Sequence, residues 1–103
     1  MITVIARMKI KEGKETEALA ALTKMTAAVE ANEPGAIAYV CHRLVDDPSQ
    51  VIFFEVYADD GAFQSHMQTP HMGEMRAGFA ELFDPSGFKI ERLERIGGFA
   101  RAG

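Results

Sequence analysis

Val51-Ile52-Phe53-Phe54-Glu55-Val56-Tyr57 is apolar on both of its alternating faces, with Ile52, Phe54 and Val56 on one and Val51, Phe53 and Tyr57 on the other. Successive side chains of a strand point to opposite sides, so this stretch predicts a strand in a sheet that is covered on both faces. Just upstream, Ala36 to Val45 is a second apolar run, joined to the first by Asp46-Asp47-Pro48-Ser49-Gln50, a connection of hairpin length built from turn residues. The two runs are expected to be antiparallel neighbours. Before them, Glu33-Pro34-Gly35 reads as a turn, because proline disfavours helix at the preceding residue and glycine tolerates turn geometry.

Further toward the N-terminus, Ala18, Leu22, Met25 and Val29 recur at helical spacing among Ala, Glu and Lys, which predicts a helix over Lys14 to Asn32. Lys14, Glu15, Glu17 and Lys24 form its solvated face. Ile2, Val4, Ala6, Met8 and Ile10 alternate with Thr3, Arg7 and Lys9, the period of a half-buried strand. Downstream, Ala58-Asp59-Asp60-Gly61 offers an acidic cap to a short helix holding Phe63, His66 and Met67. Thr69-Pro70 then reads as an N-cap followed by a first helical position, so His66 ends one helix and His71 begins another. Met72, Met75, Phe79 and Leu82 share a face of that second helix, which Asp84-Pro85-Ser86-Gly87 is expected to end. Phe88 to Ile96 is then the last strand, its charged stretch Glu91 to Arg95 suiting an edge.

The order is β-α-β-β-α-β with a broken second helix. Such a chain packs most simply as an α+β, ferredoxin-like domain, a four-stranded antiparallel sheet with helices on one face, and a second copy would cover the other. The domain is expected to span residues 1–96. The tail, Gly97 to Gly103, has the composition of a loose end or an arm reaching a partner subunit.

A chain of 103 residues is one domain, burying roughly 60–70% of its extended surface. With 48% hydrophobic residues and seven Phe, it holds more apolar surface than a small shell hides, so a homodimer is expected. The net charge of −4 and the lack of a Lys/Arg cluster argue against nucleic acid as a partner. No apolar run is long enough to span a membrane and no charged leader with an apolar core precedes the first strand, so no membrane partner is expected. The lone Cys41 allows no internal disulfide and suits a cytoplasmic location.

In this element order, Glu33-Pro34-Gly35 precedes a strand bearing Tyr39 and Arg43, then come Phe54-Glu55-Val56-Tyr57 and His66-Met67-Gln68-Thr69-Pro70-His71-Met72. With these motifs, roughly Met1 to Arg95 resembles the antibiotic biosynthesis monooxygenase superfamily of dimeric α/β barrels, and most of all its quinol monooxygenase members. The resemblance implies two subunits packed sheet on sheet, each with a pocket between its sheet and helices. It also implies oxidation of a small aromatic substrate, a quinol or related phenol, by molecular oxygen without metal, flavin or haem. Haem-degrading relatives carry an Asn late in the first strand and a Trp, whereas here Ala6 stands near the first position and the chain has no Trp. Another relative isomerises a phosphorylated sugar and shares a Thr-Pro-His segment. That activity would need a cationic grip from Arg7, Lys9, Arg43 or Arg76, and a non-catalytic dimeric binding module is the further alternative.

Oxidation without a cofactor requires the substrate to become the electron donor, by loss of a phenolic proton to a base. His66 and His71 are the candidate catalytic residues, and a carboxylate such as Glu55 could orient an imidazole. Glu55 among aromatics must otherwise find a partner, for which Arg43 and Arg7 are candidates. Tyr39 and Tyr57 could hydrogen-bond and stack on the substrate, and Phe63, Met67 and Met72 could line its pocket. His71 and Glu74, three apart on one helix face, could both reach one ion. No third ligand is set by spacing, so no metal is expected. Glu33 is read only as part of the turn, and His42 as a surface strand residue.

Overall fold

The strand that the chain begins with ends up in the interior of the sheet. In the computed structural model, which describes residues 1–101, β1 (Ile2–Ile10) lies between β3 (Gln50–Tyr57) and β4 (Phe83–Leu93), and β2 (Ala36–Arg43) flanks β3. All neighbours are antiparallel, in the order β2-β3-β1-β4. The helices α1 (Glu15–Asn32), α2 (Asp60–Met67) and α3 (Pro70–Leu82) cover one face. This is the α+β, ferredoxin-like β-α-β-β-α-β arrangement with its second helix broken.

Alternation in β1 decides which side chains meet the helices. Val4, Ala6, Met8 and Ile10 are buried, and the core joins Ala6, Met8 and Ile10 to Ala18 and Leu22 of α1 and to Val51, Phe53 and Phe83. The opposite face carries Ile5 against Phe54 and Arg7 against Ile52, extended by Val40 of β2 beside Phe54. Val40 is 46% exposed, so this apolar face has no cover within the chain.

Three strand ends differ from the sequence reading by more than one residue, one of them the end of β4, which stops at Leu93 and leaves Ile96 fully exposed. β2 stops at Arg43, and Leu44 and Val45 lie in the connecting loop, with Val45 94% exposed. β4 starts at Phe83, so Asp84-Pro85-Ser86-Gly87 belongs to a strand and not to a loop. Phe83 pairs with Ile10 and Asp84 with Lys9, and the register shifts between Arg7 and Lys9. The turn-forming residues are absorbed locally: the Asp84 carboxylate accepts from the Ser86 N–H at 3.0 Å and its hydroxyl at 2.8 Å. Because β4 is an edge, Pro85 removes no donor that an outer neighbour needs. A Cβ on Gly87 would fall 2.5 Å from Lys9 Cβ, so the irregularity requires glycine.

Of the predicted tail, Gly97 to Arg101 is exposed, with the Arg101 guanidinium 4.5 Å from the Phe99 ring centre; Ala102 and Gly103 lie outside the described residues. Among the described residues no helix is long and apolar enough to cross a membrane.

Candidate active site

The helix break is built as the sequence predicts. Asp59 caps α2 by accepting from the Ala62 N–H at 2.8 Å. Thr69 does two things at once: its hydroxyl donates to the His66 carbonyl at 2.9 Å and accepts from the Met72 N–H at 3.3 Å, with Pro70 next in α3. One side chain therefore ties the last turn of α2 to the first turn of α3. The result sets the His66 and His71 rings on either side of a third group.

That group is Glu33, at the C-cap of α1. It is 9% exposed, and its carboxylate accepts from His66 Nδ1 at 2.9 and 3.1 Å and from His71 Nε2 in a very short contact. Gly35 makes the approach possible, since a Cβ there would sit 2.6 Å from Ala62 Cβ and push the α1–β2 turn off α2. A carboxylate only accepts hydrogen bonds, so each imidazole turns a protonated nitrogen toward Glu33, and whenever the ring is neutral its lone pair lies on the opposite one. His66 thus presents Nε2 as its basic nitrogen, and His71 presents Nδ1. Glu33 orients two bases at once, as the carboxylate of a catalytic triad orients one.

The cluster has a sheet side and a groove side. On the sheet side the His66 ring, 2% exposed, packs 5.4 Å from the Tyr39 ring centre and 5.2 Å from that of Tyr57. Tyr57 donates its hydroxyl to Glu55 at 2.6 Å. Burial pushes the Glu55 carboxyl above its usual range, against the opposing effects of the Tyr57 hydrogen bond and the field of His66. Burial, reinforced by Glu55, also raises both tyrosine hydroxyls far above theirs, so they stay protonated donors. On the other side, α1 and α3 enclose an open groove of about 710 Å³. Ala21, Met25 and Ala28 face His71, Met75 and Gly78 across it, and an exposed Lys24–Glu74 ion pair of 3.5 Å spans two of its lining residues.

The profile of the family described as antibiotic biosynthesis monooxygenase matches residues 1–78, a stretch that contains Glu33, Tyr39, Glu55, Tyr57, His66 and His71. The chain belongs to the antibiotic biosynthesis monooxygenase family. The uncharacterized protein sll1783 of Synechocystis is 29% identical to it over 93 residues, 89% of this chain but 63% of that protein. The chain therefore spans less than two thirds of this curated relative. A crystal structure from Bacteroides thetaiotaomicron superimposes with a TM-score of 0.88 over 99% of this chain and 95% of its own, at 20% identity. One from Shewanella oneidensis gives 0.81 at 28% identity over 89% and 87% of the two chains. The first of these shows the shared fold alone.

Within this antibiotic biosynthesis monooxygenase domain, the structure gathers the buried Glu55, Tyr57 and His66 with the half-buried Tyr39, and joins His71 to them through Glu33. The carboxylate that orients the histidines is Glu33 and not Glu55, and Glu55 pairs with Tyr57 and not with Arg43 or Arg7. Arg7 binds Glu91 on the outer sheet face instead. Phe63 packs on Tyr57 at 5.3 Å with the Arg92 guanidinium over its ring, while Met67 and Met72 are half-buried and outside the lining of the α1–α3 groove. Glu74 pairs with Lys24, and the carboxylate that the structure places beside His71 is Glu33. His42 is an exposed strand residue, as expected. Of the cations that a phosphate grip would need, Arg76 donates to the Met67 carbonyl and Arg7 is spent on Glu91.

Glu33 is the residue the sequence reading missed. Its signal was electrostatic: a carboxylate at the negative end of a helix whose last turn holds no basic residue is unfavourable unless something else holds it there.

Proposed function

We propose that this chain is a homodimeric, cofactor-independent monooxygenase that oxidises a quinol or related phenol bound in the α1–α3 groove, with His71 as the base. The observation that carries the reading is the single buried carboxylate shared by two imidazoles, one of which lines the groove. Glu33 fixes the His71 tautomer, leaving Nδ1 to take the phenolic proton, and its negative charge stabilises the imidazolium that forms. The apolar walls at Met25, Ala28 and Met75 suit a flat ring. The uncovered outer face of the sheet, with Ile5, Phe54 and Val40, supports pairing with a second copy.

The reaction balances without an added reductant. The phenolate gives one electron to O₂, the two radicals combine at a ring carbon that bears hydrogen, the resulting peroxide anion takes back the proton held by His71, and the hydroperoxide loses water as the C–H proton leaves and the O–O bond breaks. Phenol and O₂ become quinone and water. All four electrons come from the substrate.

Oxygen uptake by metal-stripped protein with a panel of reduced quinols and phenols tests this. Turnover that yields quinone and water, reduced about 10²–10⁴-fold in His71→Ala, is the expected outcome. Uptake lost in His66→Ala but kept in His71→Ala would move the base to His66. No uptake with any phenol would overturn the reading in favour of a binding module.

A further inference from the structure

The same three side chains have a second capability that proton transfer does not use. His66 Nδ1, His71 Nε2 and a Glu33 oxygen all lie within 4.8 Å of one another, and His66 Nδ1 is 2.9 Å from the carboxylate. Ligands at 2.0–2.2 Å around a tetrahedral zinc ion stand roughly 3–3.5 Å apart, so the three atoms need only small shifts to close on an ion. Among the described residues no lysine or arginine pairs with Glu33. A buried carboxylate without a permanent counter-charge is a poor structural ion pair and a good metal ligand.

We propose that Glu33, His66 and His71 bind a divalent transition-metal ion of the zinc type between their three side chains. Two imidazoles and one carboxylate are the donor set of three-ligand zinc sites, whereas Mg²⁺ and Ca²⁺ prefer all-oxygen shells. The ligand nitrogens are those that carry protons in the metal-free cluster. Binding therefore moves each proton to the opposite ring nitrogen, and His71 Nδ1 becomes a donor. The ion and the base exclude each other, so the metal-loaded protein is the form without a proton acceptor in the groove. The ion site stands apart from the oxidation reading; only this effect on turnover rests on it.

Calorimetric titration of ZnCl₂ into the metal-stripped full chain tests the site. We expect one ion per chain, bound at least about 100-fold more weakly by Glu33→Gln and His71→Ala and equally well by Glu74→Gln, since even outer partners of metal ligands are worth about 10–100-fold. Nitrogen-15 spectra of the unaltered protein provide a readout that needs no variant: zinc should exchange the protonated and lone-pair nitrogens of His66 and His71 and leave His42 unchanged. Saturable binding that survives both ligand substitutions, or zinc that leaves the two ring patterns as they were, overturns the proposal. If zinc binds but metal-stripped protein consumes no oxygen with phenols, the metal site stands and the oxidation reading fails.

Discussion

Replacing Tyr57 with Phe removes one oxygen atom and leaves the ring packing on Phe63 and His66 in place. The oxygen it removes is the 2.6 Å donor to Glu55, in a pair where both side chains are buried. A hydrogen bond to a buried carboxylate is worth about 1.5–3 kcal/mol, and a neutral one about 0.5–1.5 kcal/mol. At pH 7.5 the variant should lose about 2 kcal/mol, roughly 10 °C in a domain of this size. The loss depends on pH with a definite sign. Burial raises the Glu55 carboxyl in the folded state, so between the ordinary carboxylate value and that raised value the folded chain holds a proton the unfolded chain has released. Stability from this group is present in acid and falls as pH rises through that window. The Tyr57 hydrogen bond opposes the rise. Without it the folded value moves higher still, so the variant loses more on going from acid to neutral pH than the parent does. Urea melts of both proteins at pH 4 and pH 7.5 should give a stability difference about 1 kcal/mol smaller in acid. A difference that is the same at both pH values, or larger in acid, would refute the picture of a buried carboxylate held by a tyrosine.

Thr69→Ala removes the cap of α3 and the link to the His66 carbonyl together, and should cost about 1–2 kcal/mol in thermal or urea unfolding. It should also weaken zinc binding, since the two rings lose their shared anchor. Phe54→Glu places a charge on the uncovered sheet face without touching the helix side. Sedimentation should show the parent as a dimer and this variant as a monomer that keeps its far-ultraviolet circular dichroism.

The sequence carried the layout where one period dominated. The alternation in β1, the doubly apolar β3 and the Thr69-Pro70 break each reported a local constraint that tertiary packing did not override. The start of β4 was hidden because Asp84-Pro85-Ser86-Gly87 satisfies its turn chemistry through Asp84 and Ser86 while its flanks stay paired with β1. His66 and His71 were legible as a pair because a proline lies between them. Glu33 was not, for its partners are distant in sequence and no spacing rule reaches across a whole hairpin. Tyr39, Glu55 and Tyr57 shared an evident strand face, but which carboxylate met which ring depended on how far the α1–β2 turn settles onto α2.

α3 passes into β4 with no intervening loop, Leu82 in one and Phe83 in the other, and Lys11 donates its N–H to the Leu82 carbonyl at the junction. A helix welded to a strand in this way cannot rotate about its own axis without unzipping sheet pairing. The azimuth of the imidazole at its far end is thus dictated by the mating of Phe83 with Ile10. Length changes at that weld would misaim the site from the opposite pole of the molecule, which makes the junction a place where descendants of this chain have little freedom to insert or delete.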